Sequence, residues 1–452
     1  MKIRRISTFQ SQIHFPNFDN HYQKHLDCFK RTDLGKIYQA IPWDDLVAQF
    51  NISTHHKGPA CYFSPRGKLA LMFLKNYCCL SDQKLIEQLN GNIHYQIFCD
   101  LLLAPGEMFT NFKIVSQIRC ELSSLLSIDS CEKVLFESWK PYMENLGSIT
   151  CDATCYESSI KYPTDVKLLY DSVNWIYEQI EKFCKKHIIR KPRTKIIKWR
   201  KRATSFSKMK QKRKQKRISL TRGLLRLLDK LLGIMDNMTA SYGFISISAK
   251  YLSRILTIRK IYQQQSDKFY RGIRPKDAIV SIDKPYIRPI VRGKEKKPVE
   301  FGCKVHKLQI DGISFIEHIS FDAFNEGIRL QKTIWKAQQL TKKKVKILGA
   351  DAIYANRANR DYVKKREIKT DFKPLGRPGK NRKQKDQLVK MITKERASRL
   401  EGSFGTDKEH FHLKRITART KANEILWIFF GIHVSNALNI GRRMSKVLAK
   451  AA

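Results

Sequence analysis

The stretch Val345-Lys-Ile-Leu-Gly-Ala-Asp351-Ala-Ile-Tyr354 has the pattern of a short buried strand that ends in a carboxylate. A second stretch of this kind, Gly147-Ser-Ile-Thr-Cys-Asp152-Ala-Thr154, ends in Asp152. A single Asp at a strand end is more often a turn former or a helix cap than a ligand. Because apolar residues precede both carboxylates, we expect the two aspartates to lie in a formed pocket rather than on a polar surface.

A third carboxylate, Glu401, lies in the stretch Arg399-Leu-Glu-Gly-Ser-Phe-Gly-Thr-Asp-Lys408, which can open a helix. Glu401 and Lys408 are two helical turns apart, so they share a face if the helix is continuous. Two carboxylates from strand ends and one from a helix can hold a pair of hard divalent cations, because Mg²⁺ prefers oxygen ligands. The alternative is a surface helix of mixed charge.

The charge of the chain indicates what such cations would act on. Lys and Arg number 87 against 41 acidic residues, which gives a formal net charge of +46. This excess favours a polyanionic partner. The chain also has 42% hydrophobic residues and six Trp, so it must form globular domains, unlike a histone-like protein. Our working hypothesis is therefore metal-dependent cutting and joining of DNA.

The length of 452 residues predicts two or three domains. The longest apolar run, Ile425 to Val434, is about half of what a membrane span requires. The first residues, Met1-Lys-Ile-Arg-Arg-Ile-Ser-Thr8, lack the apolar core of a signal peptide, so we expect a cytoplasmic, nucleoid-associated protein. The 11 cysteines form no Cys-x-x-Cys pair, which favours buried reduced thiols over a disulfide framework or a zinc site.

Composition changes along the chain predict a mixed α/β protein with four segments. These are an N-terminal arm (1–57), a helical domain that is a candidate for DNA binding (58–145), an α/β domain that carries the three carboxylates (146–162 with 276–445) and a helical, Lys/Arg-rich insertion (163–275).

The second segment carries signals of three successive helices. Gly67 to Lys75 is an apolar helix, Ser81 is a candidate N-cap for a helix over Asp82 to Leu89, and a third helix follows through Tyr95. Helix, short turn and short helix is the outline of a helix-turn-helix DNA reader. A plain helical bundle is an equally good interpretation.

The predicted insertion contains a strongly basic run from Lys185 to Arg217. Runs of this kind are often solvated or disordered, and they also lie easily along phosphates. Trp199 and Phe206 within the run are candidates for stacking on bases, although two aromatic residues are weak evidence.

In the C-terminal part, the pattern predicts three strands first and then helices that alternate with further strands. Predicted are strands at 278–283, 301–310 and 313–320 with a turn at Asp311-Gly312, a helix at 325–340, a strand at 345–348, a helix at 356–366, a strand at 369–372, a loop at 374–379, and helices that carry Glu401 and span 420–447. This order suits a mixed sheet covered by helices.

These stretches resemble the insertion-sequence DDE transposases, specifically the IS-five-like group with an InsH-like N-terminal region. The resemblance covers nearly the whole chain, with the motifs in the expected order. Its matching stretches are Asp152-Ala-Thr154, Ile160 to Leu169, Ile279 to Lys294, Val299 to Lys304, Gly349 to Arg357, Leu375 to Pro378 and Leu400 to Lys408.

The resemblance implies an RNase H-like catalytic domain whose metal ligands are Asp152, Asp351 and Glu401, with Lys408 as the lysine that follows the glutamate. Related transposases place an Arg four residues before that glutamate, where this chain has Ala397 between Arg396 and Arg399. The tyrosine that precedes the Arg in relatives has no clear counterpart. Asp152 and Asp351 are 199 residues apart, so the insertion lies between them.

The same resemblance implies two Mg²⁺ ions, with Mn²⁺ as a substitute, and double-stranded DNA as partner in the form of element terminal repeats and target. Since two element ends must be held together, a homodimer on DNA is expected. Candidate DNA contacts are Arg288, Arg292, Lys294, Lys304, Arg357, Arg360, Arg396 and Arg399. A nuclease that never joins DNA and an inactive DNA-binding relic are the alternatives; an RNA-binding role lacks an RNP-type aromatic strand.

Overall fold

The computed structural model describes residues 3–4, 20–52, 61–104, 106–243, 248–292, 298–375 and 382–451. The chain divides into two compact units. The first unit comprises residues 1–158, 303–320 and 324–452, and the second comprises residues 159–302 with 321–323. The three carboxylates singled out in the sequence all belong to the first unit.

The described strands are short except for three. They are β1 (Ile3–Arg4), β2 (Leu102–Leu103), β3 (Ser148–Ser158), β4 (Pro289–Val291), β5 (Val299–Ile310), β6 (Ile313–Ser320), β7 (Ile347–Ala350), β8 (Lys369–Thr370) and β9 (Arg415–Ile416).

Helices make up most of the remainder. They are α1 (Asn20–Arg31), α2 (Asp33–Ala40), α3 (Trp43–Phe50), α4 (Pro65–Cys78), α5 (Asp82–Gly91), α6 (Ile93–Phe98), α7 (Lys113–Leu125), α8 (Ile128–Trp139), α9 (Asp165–Lys186), α10 (Ile196–Lys208), α11 (Lys214–Tyr242), α12 (Ala249–Ser266), α13 (Leu330–Thr341), α14 (Arg357–Lys365), α15 (Arg382–Glu395), α16 (Gly402–His410) and α17 (Lys421–Ala451).

The sheet of the first unit has the order β6-β5-β3-β7-β8. β7 runs parallel to both β3 and β8, while β5 and β6 form an antiparallel hairpin. β9 adds parallel pairing to the last residues of β3. The predicted class, a mixed sheet accompanied by helices, is therefore confirmed.

The predicted hairpin is also confirmed. β5 and β6 pair up to the last register position, Ile310 opposite Ile313. The two residues between them, Asp311 and Gly312, have φ angles of 47° and 78°. Two positive φ angles are what a two-residue turn needs to match the twist of the strands, and Asp-Gly tolerates them well.

Two strand predictions need correction. Residues 278–283 form no strand: the amide of Ile279 bonds to the Gln264 side chain at 3.1 Å. The Ile279 side chain packs against Leu168 and Ile261 of two helices, so its apolar character reflects helix contacts rather than strand pairing. Asp152 does not end its strand either, because β3 continues to Ser158. The strand that ends beside Asp152 is β7.

The first unit contains helices α1 to α8 and also the apolar helix α17. The predicted run from Ile425 to Val434 lies inside α17, where Leu426, Ile428 and Phe430 are fully buried. The side chain of Asn436 of α17 forms two hydrogen bonds with the backbone of Ser314 of β6. It accepts one from the Ser314 amide at 3.0 Å and donates one to the Ser314 carbonyl at 2.6 Å. No helix in the described part of the chain is long and apolar enough to cross a membrane.

Helices α4, α5 and α6 occupy the three positions that the sequence predicted. Ser81 is the N-cap of α5, as expected, and its hydroxyl accepts from the Lys84 amide at 3.2 Å. The third helix, α6, has only six residues, and its second half is buried. Asp82 of α5 forms ion pairs with Lys75 and Arg119. Three helices with short connections suit both interpretations, the helix-turn-helix and the plain bundle.

The second unit is built on helices α9 to α12. Their apolar faces form one core that includes Val173, Leu224, Leu228 and Ile258. Within the basic run, α10 and the start of α11 are regular helices rather than a disordered tail. Phe206 is 7% exposed and belongs to this core, and Trp199 packs against it. Both rings therefore pack in the helical core and stabilise it, and the interpretation as base-stacking residues stays a prediction.

The 11 cysteines are all free thiols. Six are buried, among them Cys151 and Cys155, which flank Asp152. Cys28, Cys61, Cys79 and Cys120 are exposed and Cys78 is half-buried, so the prediction of buried thiols holds for only some of the cysteines.

Candidate active site

The parallel pairing of β3 and β7 brings two of the predicted carboxylates together. Cys151 lies opposite Ala350 in the register, so the next residues along the two strands, Asp152 and Asp351, lie side by side where β7 ends. Asp152 is half-buried and Asp351 is exposed. Each carboxylate accepts a hydrogen bond of 2.7 Å from the amide of the residue that follows it.

The electrostatic setting of Asp152 is unusual for an aspartate. Burial raises its pKa to about 6, and the negative charges of Glu326 and Asp351 act in the same direction. A hydrogen bond from the Ala153 amide and the charge of Arg396 lower the pKa, but they do not compensate. A carboxylate beside other carboxylates in a partly buried site is stabilised in its charged form by a cation.

Glu326 is a carboxylate of this region that the sequence analysis did not single out. It begins the short 3₁₀ turn Glu326–Arg329 ahead of α13, and it is 9% exposed. Its carboxylate lies 2.6 Å from the ammonium of Lys304. An acidic residue in the first turn of a helix is ordinary, so the sequence carries no signal that separates Glu326 from a simple helix-terminus charge.

Glu401 is held by Arg396. The Arg396 guanidinium donates to the Glu401 carboxylate at 3.0 Å, and its Nε lies 3.5 Å from Asp371. Asp371 in turn accepts from the amide of Ala350, the last residue of β7, at 3.0 Å. Burial raises the pKa of Asp371, and the charge of Asp351 raises it further. Arg396 thus connects Glu401 to the strand end that carries Asp351.

A π-helical turn explains why Arg396, and not residue 397, contacts Glu401. The segment Arg396–Glu401 is π-helical and joins α15 to α16 without a break. In a π-helical turn the backbone bonds span five residues instead of four, so side chains five apart come onto one face. Arg399 points elsewhere and pairs with Glu395 at 2.9 Å and with Asp311 at 3.3 Å.

Lys408 lies on the same continuous helical segment as Glu401 and contacts the strand that carries Asp152. Its ammonium donates to the Thr154 hydroxyl at 3.0 Å. Thr154 is two residues after Asp152 on β3, so the two side chains are on the same face of the strand. The helix that carries Glu401 is therefore docked on β3 close to the first aspartate.

A buried ionic cluster fixes this docking. Lys307 of β5 forms an ion pair with Asp407 of α16, and the Tyr156 hydroxyl of β3 donates to Asp407 at 2.6 Å. All three side chains are at most 1% exposed. Burial lowers the pKa of Lys307, against the opposing charge of Asp407. The sequence carries no local signal of this cluster, because its members are far apart in the chain.

A second buried network lies behind the turn that follows Asp351. The Tyr354 hydroxyl is 2.6 Å from His306 Nε2, and His306 Nδ1 is 3.0 Å from the Glu317 carboxylate. Arg329 completes the network with two bonds to Glu317, at 2.6 Å and 3.1 Å. Burial raises the pKa of Tyr354 far above that of a free tyrosine, so it stays a neutral donor or acceptor.

The predicted DNA contacts fall into different settings. Arg357 is exposed and forms no ion pair with the described residues. Arg360 donates to the carbonyl of Ala355 at 2.8 Å. Lys304 is occupied by Glu326, as described above.

Arg396 and Arg399 lie in the first unit, in the π-helical turn described above, and the remaining candidates lie in the second unit or outside the described residues. Arg288 donates to the carbonyl oxygens of Pro285 and Ile287. Arg292 lies 3.4 Å from Glu300. Lys294 and most of the predicted 374–379 loop lie outside the described residues.

The side-chain donors of the three predicted ligands determine which metal ions suit this site. Asp152, Asp351 and Glu401 offer only oxygen donors, which suits Mg²⁺ or Mn²⁺ and disfavours zinc. Among the described residues, no group of three or more His, Cys, Asp and Glu side chains is gathered closely enough to hold a metal. Two of the predicted ligands are adjacent, and the third is engaged by Arg396.

Two models of known protein families match parts of the chain. A family model described as a transposase DDE domain matches residues 348–434, which include Asp351, Glu401 and Lys408. A model described as a transposase domain (DUF772) matches residues 21–119, within the helical N-terminal part. The two matches indicate an insertion-sequence DDE transposase, the relationship that the motifs predicted. No curated protein and no solved structure matches the chain.

Proposed function

We propose that the chain is the transposase of a bacterial insertion sequence, which binds the element ends and catalyses metal-dependent strand cleavage and strand transfer. The observation that carries this proposal is the adjacency of Asp152 and Asp351 at the end of β7, with Glu401 linked to the same strand end through Arg396 and Asp371. We further propose an RNase H-like catalytic domain. The central position of β3, between an antiparallel hairpin and two parallel strands, supports it.

In this proposal Asp152, Asp351 and Glu401 hold two divalent cations, Mg²⁺ or Mn²⁺, which when bound activate the attacking oxygen and stabilise the leaving one. Glu401 must exchange its bond to Arg396 for that role. Arg396 then becomes available for a DNA phosphate, so we assign it the part that an Arg four residues before the glutamate plays in relatives. Lys408 supplies a positive charge on the same helix for a neighbouring phosphate.

The chemistry is two in-line displacements at one site. In the first, a water oxygen bonds to the phosphorus at the element end and loses a proton, while the bond to the 3′ oxygen breaks and that oxygen takes a proton. In the second, this 3′-hydroxyl bonds to a phosphorus of target DNA and loses its proton, and the displaced 3′ oxygen of the target strand takes one. Neither step needs a covalent bond to protein, so no Ser or Tyr nucleophile is required.

Double-stranded DNA is the proposed partner, as terminal repeats and as target, and the net charge of +46 supports it. Of the candidate phosphate contacts, Arg357 is the best placed, since it is exposed, unpaired among the described residues and six positions after Asp351. The other candidates can contribute after exchanging their present partners. A homodimer on DNA is proposed because two ends must be joined in one event.

The test is a plasmid assay with the flanking element ends and Mg²⁺. Wild type is expected to give cleaved and joined products. Asp152→Ala, Asp351→Ala and Glu401→Ala should each abolish both products while DNA binding survives.

Asp361→Ala is a matched control, because Asp361 is an exposed carboxylate on α14 outside the site. It should cleave and join like wild type. Cleavage without joining would favour a nuclease, and binding without cleavage would favour an inactive relic. An active Asp152, Asp351 or Glu401 variant would remove that residue from the ligand set.

A further inference from the structure

The second unit carries a positively charged surface that the chemistry at the carboxylates does not use. Between Lys185 and Arg217 the chain has 17 Lys and Arg residues and no Asp or Glu. The segment is folded: Ile196, Ala203 and Phe206 of α10 pack into the helical core. Because these three residues face inward, the basic residues on the other side of α10 are held on the outside at fixed positions.

A groove of about 600 Å³ runs between α10 and the start of α11. Lys201 and Arg202 line it from α10, and Lys216 lines it from α11. The hydroxyl of Ser219 and the buried ring of Phe206 also line the groove, and no carboxylate does. A concave site with three cations and hydrogen-bond donors but no anion is electrostatically incomplete without a negatively charged ligand.

The three cations have no carboxylate partners among the described residues, whereas Lys191 nearby pairs with Glu181 at 2.7 Å. Arg202 is partly preorganised. Its guanidinium lies 4.8 Å from the centre of the Trp199 ring and 3.4 Å from the Ser219 hydroxyl.

Trp199 is itself fixed, because it lies where a side chain at Gly223 would be: a Cβ there would meet the ring at 1.8 Å. A guanidinium positioned over an aromatic ring still offers N–H groups to an anion and loses little entropy on binding.

We propose that the groove between α10 and α11 binds the sugar–phosphate backbone of DNA, with Lys201, Arg202 and Lys216 each facing a phosphate. The groove positions the DNA and does not read its sequence, because phosphate contacts carry no base information. This inference rests on the proposed function and adds a contact site to it.

The experiment compares two variants of the full chain that remove equal charge. The groove variant is Lys201→Gln, Arg202→Gln, Lys216→Gln. The control is Lys182→Gln, Arg226→Gln, Lys260→Gln, three exposed cations on α9, α11 and α12 that do not line the groove. Affinity for a fluorescent DNA duplex is measured by anisotropy over a series of salt concentrations, and thermal melts verify that both variants are folded.

Each phosphate contact contributes about 0.9 to the slope of log affinity against log salt. The groove variant should therefore lose about 2 to 3 from the slope and at least about tenfold in affinity at about 0.1 M salt, while the control loses less than about 1 from the slope. Equal losses in both variants would mean that only total charge matters and would overturn the inference. An unchanged slope in the groove variant would overturn it as well.

The plasmid assay separates this outcome from the proposed function. If wild type joins DNA and the groove variant keeps its salt slope, the transposase stands and the groove assignment is wrong. If the groove variant loses the predicted slope and wild type never joins DNA, the groove stands on a protein that only binds.

Discussion

At the scale of single residues, Asp152 combines several features that disfavour the charged form of a carboxylate. It is half-buried, it neighbours Asp351, and Glu326 adds a further negative charge, so burial and repulsion raise its pKa to about 6. A buried charge of this kind costs folding free energy unless something neutralises it. A role of Asp152 in binding a cation would account for this destabilising arrangement.

The raised pKa predicts a pH dependence of stability. Between the ordinary value of 3.8 and about 6, folded Asp152 holds more proton than the unfolded chain. The free energy of unfolding therefore falls as pH rises through this window and stays low above it. In metal-free buffer Asp152→Asn should be more stable than wild type at about pH 8, by on the order of 2 kcal/mol, and equal to it at about pH 3.5.

Denaturant unfolding at the two pH values measures this difference. Asp361→Asn, an exposed carboxylate, serves as the control and should change stability little at either pH. A gain for Asp152→Asn that is the same at both pH values would show that the charge of Asp152 is not its cause.

Metal binding should offset the loss of folding free energy that the charge of Asp152 causes. A ligand that binds only the folded state stabilises it by RT ln(1 + [L]/Kd), or about 2.7 kcal/mol at a hundredfold excess over Kd. Mg²⁺ should therefore raise the melting temperature of wild type and have little effect on Asp152→Asn or Glu401→Gln. Differential scanning calorimetry with Mg²⁺ and with a chelator measures this, and an identical shift in all three proteins would contradict a site built from these carboxylates.

At the scale of elements, the π-helical turn Arg396–Glu401 decides which arginine meets Glu401. The sequence placed a non-basic residue, Ala397, at the expected spacing, and the extra residue in the turn shifts the contact to Arg396. Helix packing in the second unit is set by equally local features. Trp199 of α10 packs on α11 at the position where Gly223 leaves room.

Two glycines of α11 predict opposite effects on stability. Gly223→Ala places a Cβ against the Trp199 ring, so it should destabilise by about 1–3 kcal/mol through overpacking. Gly233→Ala meets nothing within 4 Å, so it should stabilise the helix by about 0.5–1 kcal/mol through helix propensity. Thermal unfolding of the two variants side by side measures both, and stabilisation by Gly223→Ala would contradict the packing of α10 on α11.

At the scale of the whole molecule, the cluster of Lys307, Asp407 and Tyr156 joins three elements that are distant in sequence. It ties α16, which follows Glu401, to β5 and to β3, the strand of Asp152. Because the three side chains are fully buried, removal of one member leaves an uncompensated polar group in the core.

Single and combined substitutions in this cluster should behave differently. Lys307→Met or Asp407→Leu alone should destabilise by about 3–5 kcal/mol, whereas Lys307→Met, Asp407→Leu, Tyr156→Phe together should recover stability to within about 1 kcal/mol of wild type. Denaturant unfolding tests this. A triple variant as unstable as the singles would show that the cluster contributes more than charge compensation.

Much of the architecture could be predicted because its signals are local. The Asp311-Gly312 turn, the Ser81 cap, the strand ahead of Asp351 and the helix that carries Glu401 each depend on a few neighbouring residues, and each is where the pattern indicated. Residues 278–283 show the limit of such signals. A short run of β-branched residues fits either a strand or an apolar contact with helices, and nothing nearby in the sequence distinguishes the two.

The amino-acid sequence by itself determined the three carboxylates, the lysine that follows them and the basic character of the chain, because these are properties of residue type and spacing. Only the tertiary structure decided that Asp152 lies beside Asp351, that Glu326 adds its charge to them, and that Arg396 holds Glu401. Partners of this kind come from parallel strand pairing, from one additional residue in a helical turn and from contacts across more than a hundred positions. None of these contacts produces a periodic pattern in the amino-acid sequence.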